Sequence, residues 1–159
     1  MTDVLTPEVR SRMMSGIGGK NTKPERVLRS ALHHAGFRFR LHRKDLPGKP
    51  DLFFPKHRAA LFVHGCFWHG HGCHLFKWPS SRKEFWREKI NANAERDRRQ
   101  VALLNDSGIR VGVVWECALK GRTRLPLDDV ISACSRWLAS EEPELDLHGH
   151  QTWTPIGLL

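Results

Sequence analysis

Tyrosine is absent from this 159-residue chain and methionine occurs three times. No apolar run approaches the roughly 20 residues that a membrane span needs. The N-terminal stretch through Gly16 lacks the apolar core of a secretory signal, so a cytoplasmic protein is expected. Cysteine is sparse: four residues in a reducing compartment do not make a disulfide framework. Repeats and low-complexity tracts are missing, and the length suits one globular domain. Negative charge is also scarce. Asp and Glu number 17 against 26 Lys and Arg, giving a net charge of +9 and a pI near 10.0. Such a balance argues against acidic-surface chemistry and suits a polyanionic partner, with nucleic acid first among candidates.

What is present can be ordered along the chain. Thr6-Pro7-Glu8 predicts a short helix ending by Gly16, which would form an arm. Thr22 and Glu25 have capping-box spacing for a second helix, with Val27, Leu28, Ala31, Leu32 and Ala35 as its apolar stripe and Gly36 as its stop. Phe37, Phe39 and Leu41 alternate with polar residues, as in a half-buried strand. Leu52 to Phe54 and Ala59 to Val63 read as an antiparallel hairpin. From Gly65 to Pro79 neither period is present. Ser81 and Glu84 predict a capping box for a long helix to about Asn105, with Ile90, Ala94, Val101 and Leu104 on its apolar side. A buried strand over Ile109 to Trp115 and a helix over Leu127 to Leu138 follow, and the last twenty residues carry no assignable pattern. This mixed order implies an α/β sandwich with a small central sheet.

The densest chemical signal is His64-Gly65-Cys66-Phe67-Trp68-His69-Gly70-His71-Gly72-Cys73-His74. Two thiols and several imidazoles within so short a loop suit tetrahedral zinc, and a closed structural site wants four protein ligands. Another ligand must therefore come from elsewhere. Cys117, just past a predicted strand, is the best supplier, whereas Cys134 falls on a helical apolar stripe and reads as an inert core thiol. The bland alternative is buried free cysteines beside surface histidines.

A second signal is Pro50-Asp51 at the start of the hairpin, where metal-dependent nucleases place a magnesium ligand, although Pro-Asp alone is ordinary turn chemistry. The adjacent strand ends in Val63-His64, where that nuclease class would carry an acid and a lysine. Val63 offers a metal only its backbone carbonyl, so proton transfer falls to an imidazole, with His69 and His64 nearest in sequence. By spacing alone Glu25 is a capping residue and Asp97 an i,i+4 ion-pair partner. Trp86, Asn93 and Asp97 share one side of the long helix, and an exposed Trp86 could join Phe67 and Trp68 as aromatic surface for unstacked bases.

Leu46-Pro47-Gly48-Lys49-Pro50-Asp51, His64 to His69, Glu84-Phe85-Trp86, Glu95-Arg96-Asp97-Arg98-Arg99 and Val114-Trp115-Glu116-Cys117-Ala118-Leu119 together resemble the signature stretches of the very short patch repair endonucleases. The likeness runs from Met14 to Trp137. It implies a restriction-endonuclease-like α/β fold, a small mixed sheet flanked by helices with a zinc-stapled loop. It also implies a nick 5′ to the thymine of a T·G mismatch left by deamination of 5-methylcytosine. Magnesium would be held by Asp51 and the carbonyl of Val63, and His69 would activate water with His64, Glu25 and Asp97 in support. Structural zinc would sit on Cys66, His71, Cys73 and Cys117. Met14, Phe67, Trp68, Trp86, Lys89 and Asn93 would meet DNA. The likeness further implies a monomer at the nucleoid, acting on double-stranded DNA beside mismatch-repair and repair-polymerase partners. Residues 1–20 would be a DNA-contacting arm, 21–140 the endonuclease domain, and 141–159 a tail of unassigned role. Relatives often carry Thr at position 63, so a hydroxyl is missing here. Two rivals remain: a zinc-stapled nuclease acting on matched DNA, and a zinc-stapled DNA-binding module without catalysis. A carboxylate at Asp51 would repel phosphate in a pure binder, and an aromatic trio is best used where a step opens easily.

Overall fold

Thr22 begins the first helix because its hydroxyl accepts from the Glu25 amide, leaving α1 to run over Lys23–His34 in the computed structural model, which describes residues 21–150. The predicted arm helix, with Met14, lies outside the described residues. The apolar stripe of α1 is narrower than its sequence suggests. Leu28 and Leu32 are buried, but Val27 and Ala35 are exposed, and the third buried position belongs to Glu25. The capping box is also incomplete, since Glu25 accepts from the Asn21 amide rather than reaching back to Thr22.

Five strands follow one another across a single sheet: β1 (Arg40–Leu41), β2 (Leu52–Phe54), β3 (Ala59–His64), β4 (Arg110–Trp115) and β5 (Glu144–Leu147). The β1–β2 and β2–β3 pairs are antiparallel, whereas β3–β4 and β4–β5 are parallel. Parallel neighbours need a crossover. One is α2 (Lys83–Asp106), and the other comprises a short α3 (Glu116–Leu119) and α4 (Leu127–Ala139). This is the helix-flanked mixed sheet that the resemblance implies. Only the last two residues of the Phe37 to Leu41 alternation pair as a strand, yet Phe37 and Phe39 still pack on the core. Strand β5 assigns an element to a stretch whose sequence shows no clear period.

Strand β3 is covered on both faces, which explains its nearly unbroken apolar run. Ala59 and Leu61 meet Leu28 and Leu32 of α1 and Val130, Cys134 and Trp137 of α4. Ala60 and Phe62 face the other way, toward Leu104 of α2, Ile109 and Val111. The start of α2 departs from its sequence reading: Arg82, at φ 53°, is the N-cap and makes no side-chain capping bond, so Ser81 and Glu84 form no capping box. Its buried residues, Trp86, Ile90 and Leu104, nevertheless lie along one helical stripe.

Arg110 at the start of β4 ties the far end of the sheet together. Its guanidinium donates to the carbonyls of His57, Trp137, Leu138 and Glu142 and lies 5.0 Å from the Trp137 ring centroid. Trp137 can lie against the sheet because Gly112 has no side chain. A Cβ there would stand 2.9 Å from both the Trp137 ring and Leu61 Cδ1. Gly112→Ala should therefore overpack this layer and lower unfolding free energy by about 1–3 kcal/mol. Urea unfolding followed by tryptophan fluorescence checks this, and an unchanged midpoint would show that the ring layer yields freely.

Candidate active site and metal centre

The carboxyl ends of β3 and β4 lie side by side, with His64 in register with Trp115. Open α/β sheets present their sites at such strand ends. The antiparallel β2 begins at the same end, which brings Asp51 beside Val63. Its Oδ2 accepts from the Val63 amide at 2.7 Å. Three groups of metal-capable side chains gather here, each with ligand atoms within 4.8 Å of one another: Cys66, His71, Cys73 and Cys117; His64, His69 and Asp97; and Glu25, His42 and Asp51.

The first group is built by the irregular loop. Backbone bonds from the His71 amide to the Cys66 carbonyl and from the Cys73 amide to the His71 carbonyl turn the chain so that three side chains converge. Cys117 arrives from α3, as its position after β4 suggests, and its Sγ lies 3.7 Å from His71 Nδ1. Three sulfurs and one imidazole form the donor set of a closed tetrahedral site, in which sulfurs on zinc would be about 3.8 Å apart. This cluster could hold a metal ion. Its thiols already share protons unevenly: the hydrogen bond between Cys66 and Cys117 holds the Cys66 thiol up and pulls Cys117 down toward thiolate. Burial pushes Cys73 up. Cys134 is remote, within the core, and burial raises its thiol to about 12, as befits an inert residue. His74 is not in the cluster; its Nδ1 lies 3.3 Å from Thr123 Oγ1.

The second group occupies the end of β3 and the facing side of α2. His69 Nδ1 donates to Asp97 Oδ2 at 2.5 Å, and the His64 and His69 rings stack at 3.7 Å with an interplanar angle of 3°. Asp97 is thus an imidazole partner rather than an i,i+4 surface ion. Burial, with His69 as a further charge, depresses His64 to about 3, so it is neutral near neutral pH. Trp115 links this group to the first. It stacks on His71 at 4.2 Å, meets His64 edge-on at 5.4 Å, and donates from Nε1 to Asp146 of β5 at 2.6 Å.

The third group contains a residue with no separate signal in the sequence. Glu25 is 1% exposed, and its Oε1 lies 2.6 Å from His42 Nε2 and 3.2 Å from Arg29 Nη1. His42 follows the short β1 at φ 47°, and its amide donates to the Asp51 carbonyl. A polar residue at the end of an alternating segment looks like surface; only folding brings it against Glu25. Asp51 feels the strain of this neighbourhood. Burial raises its carboxyl to about 6 despite the Val63 amide, Glu25 pushes the same way, and His42 and His69 oppose it.

Beyond these groups lies an aromatic cluster. Phe67 meets Trp68 at 5.2 Å and Trp86 at 5.4 Å, and continues through Phe76 to Trp78. Trp86 is core rather than exposed: at 7% exposure it backs the other two, because Phe67 and Trp68 from the loop cover it. Asn93 Nδ2 donates to the Trp68 carbonyl at 2.9 Å, fixing the loop onto α2, and Lys89 is exposed on that helix.

Comparisons with known proteins converge. The family model for the DNA mismatch endonuclease Vsr matches residues 2–75. The chain is 54% identical over 134 residues to a type II nicking enzyme, V.XorIIP, of Xanthomonas oryzae, covering 80% of this chain and 98% of that protein. It is 42% identical over 151 residues to the DNA mismatch endonuclease Vsr of Escherichia coli, covering 94% and 97%. A type II nicking enzyme of Neisseria meningitidis, V.NmeAIP, is 45% identical over 122 residues, covering 77% and 87%.

The Asp51 shift has a measurable sign. Its folded-state value, about 6, exceeds the unfolded carboxylate value, so without divalent ions its protonation contributes stability that is full below about pH 4. That contribution is lost as pH rises through 6. Asp51→Asn cannot ionise, so the variant should gain on the parent between pH 4 and 7 by up to about 3 kcal/mol. Chemical unfolding of both proteins in chelator across that range measures the gap, which would stay flat if Asp51 titrated normally.

Proposed function

The chain belongs to the Vsr family of DNA mismatch endonucleases, and from that premise we propose that it nicks the strand 5′ to the thymine of a T·G mismatch in double-stranded DNA, with Asp51 holding magnesium and His69 activating water. It is a DNA endonuclease of restriction-endonuclease-like α/β fold. The observation that carries the finer reading is Asp51 at the strand end, sharing its neighbourhood with a carboxylate-held imidazole. A basic chain draws in the DNA backbone, and carboxylates gathered at one sheet end within it suit a divalent cation between carboxylate and phosphate.

Each residue then has a task. Asp51, with the Val63 carbonyl beside it, would hold magnesium, which when bound offsets charge developing on the phosphodiester. Asp97 fixes His69 with its proton on Nδ1, leaving Nε2 as the acceptor for a proton from attacking water. His64, neutral and stacked on His69, keeps that ring in plane without adding a competing positive charge. The Cys66, His71, Cys73 and Cys117 set fits structural zinc and would anchor the loop that carries His69, Phe67 and Trp68. Phe67 and Trp68, backed by Trp86, would enter the duplex where a mismatched step opens at low cost, with Lys89, Asn93 and Met14 of the arm contacting DNA. Cytoplasmic action at the nucleoid as a monomer, beside mismatch-repair and repair-polymerase proteins, completes the reading. No described helix is long and apolar enough to cross a membrane.

Elemental analysis of the purified protein should find about one zinc per chain that survives dialysis. Cys73→Ser should lose zinc and unfold at lower temperature, because binding of structural zinc is linked to folding. A zinc-free parent that melts at the same temperature would remove zinc from the account.

Single-turnover nicking of T·G and matched duplexes, with binding measured in calcium, tests the chemistry. Asp51→Ala should abolish nicking and keep binding, whereas His69→Ala should slow nicking by roughly 10²–10⁴ while retaining the magnesium requirement. Trp68→Ala should reduce discrimination between mismatched and matched DNA more than affinity for either, since phosphate contacts supply affinity without reading sequence. Nicking of matched DNA at the mismatch rate by the parent would overturn the substrate assignment, and a near-parental rate for His69→Ala would overturn its role as base.

A further inference from the structure

Glu25 sits almost wholly out of water next to Asp51, and two carboxylates so placed cannot both stay ionised unless donors compensate them. The donors converge on Glu25. His42 Nε2 at 2.6 Å and Arg29 Nη1 at 3.2 Å both reach Oε1, while the Asn21 amide reaches Oε2 at 2.7 Å. Asn21 in turn receives a second Arg29 bond on its side-chain oxygen. An ionised carboxylate offers roughly four acceptor positions, so three are occupied here and one on Oε2 is left. Asp51 differs: among the described residues its side chain accepts from the Val63 amide alone, on Oδ2.

We infer that His42, with Arg29 behind it, is a positioning residue that holds Glu25 as a hydrogen-bond acceptor for water bound to the divalent ion at Asp51, rather than as a direct ligand of that ion. The inference rests on the Asp51 reading proposed above. With Oε1 saturated, Glu25 has too little free coordination capacity for bidentate ligation, while its remaining lone pair suits one water hydrogen. Magnesium favours such arrangements, since it sheds water reluctantly and takes only one or two protein carboxylates directly. His42 acts here through its N–H alone. Another donor of similar reach can therefore replace the imidazole, whereas an apolar side chain of similar size cannot.

The test compares His42→Gln, His42→Leu and the parent for binding of Mn²⁺, read by loss of the free-ion EPR signal in the full-length protein without DNA. His42→Leu should weaken Mn²⁺ binding about tenfold, measured at a temperature where circular dichroism in chelator shows parent and variants equally folded, so that the loss is read on folded protein and not as the stability cost of baring the buried Glu25. His42→Gln should bring the affinity back to within about twofold. Equal loss in Gln and Leu would show that the imidazole itself is needed, as ligand or proton carrier, and would overturn the inference, as would equal retention in both. Asp51→Asn serves as the separate control. If it binds Mn²⁺ as the parent does, the metal reading of Asp51 fails; if it loses binding while the two His42 variants behave alike, only the positioning role fails.

Discussion

Burying negative charge is costly unless something positive or hydrogen-donating meets it, and this requirement organises one end of the molecule. Overall the chain is strongly basic, yet Glu25, Asp51, Asp97 and three cysteines collect at the carboxyl ends of β3 and β4. Each anion has its own compensation within the protein. Glu25 has His42, Arg29 and an amide; Asp97 has His69; Cys117 has His71 and the Gly149 amide; Asp51 has one amide and remains unsettled, with its carboxyl raised to about 6. Carboxylates gathered at one sheet end of a basic chain are where divalent ions and phosphates can meet without either being repelled.

The parallel pairing of β3 with β4 is what allows the compensation. It sets His64 opposite Trp115, and from there the chain leaves in two directions, into the loop that carries Cys66 to Cys73 and into the short helix that carries Cys117. Trp115 then touches His64, His69 and His71, and Asp146 of β5 holds its indole N–H. Packing thus joins the candidate metal centre to the candidate catalytic histidines without any side chain belonging to both. The chain returns after β5 to close over this centre. A Cβ on Gly149 would lie 2.5 Å from the Cys117 carbonyl, an approach that only glycine permits.

The aromatic loop depends on the same arrangement. Phe67 and Trp68 directly follow Cys66 and stand shortly before His71, and Asn93 pins the Trp68 carbonyl to α2. With Trp86 beneath them, their rings are held by packing instead of swinging on a free loop, which would lower the entropic cost of the base-step contact proposed for them.

Much of this was legible in the residues themselves. Period and turn signals located α1, the β2–β3 hairpin, α2, β4 and α4, because each buries a face whose spacing follows its own geometry. The Cys/His loop and Cys117 pointed through composition to a cluster that could hold a metal, and Cys134 to a core place through its position on an apolar stripe. Local pattern could not reveal the short β5, whose pairing with β4 is non-local, or the start of α2, where Arg82 takes the cap without a side-chain bond. It left Trp86 open between exposed contact and core, since what covers that ring comes from a distant loop. It gave no reason to single out His42 or Trp115, whose partners lie on other elements, or Arg29, whose partner Glu25 is one turn away on the same helix. The sequence by itself determined the element types and the kinds of chemistry available, because propensity, period and ligand identity are local properties. Tertiary structure alone decided which carboxylate meets which imidazole and which ring is covered, because burial and proximity arise only when separate strands and helices share one sheet end.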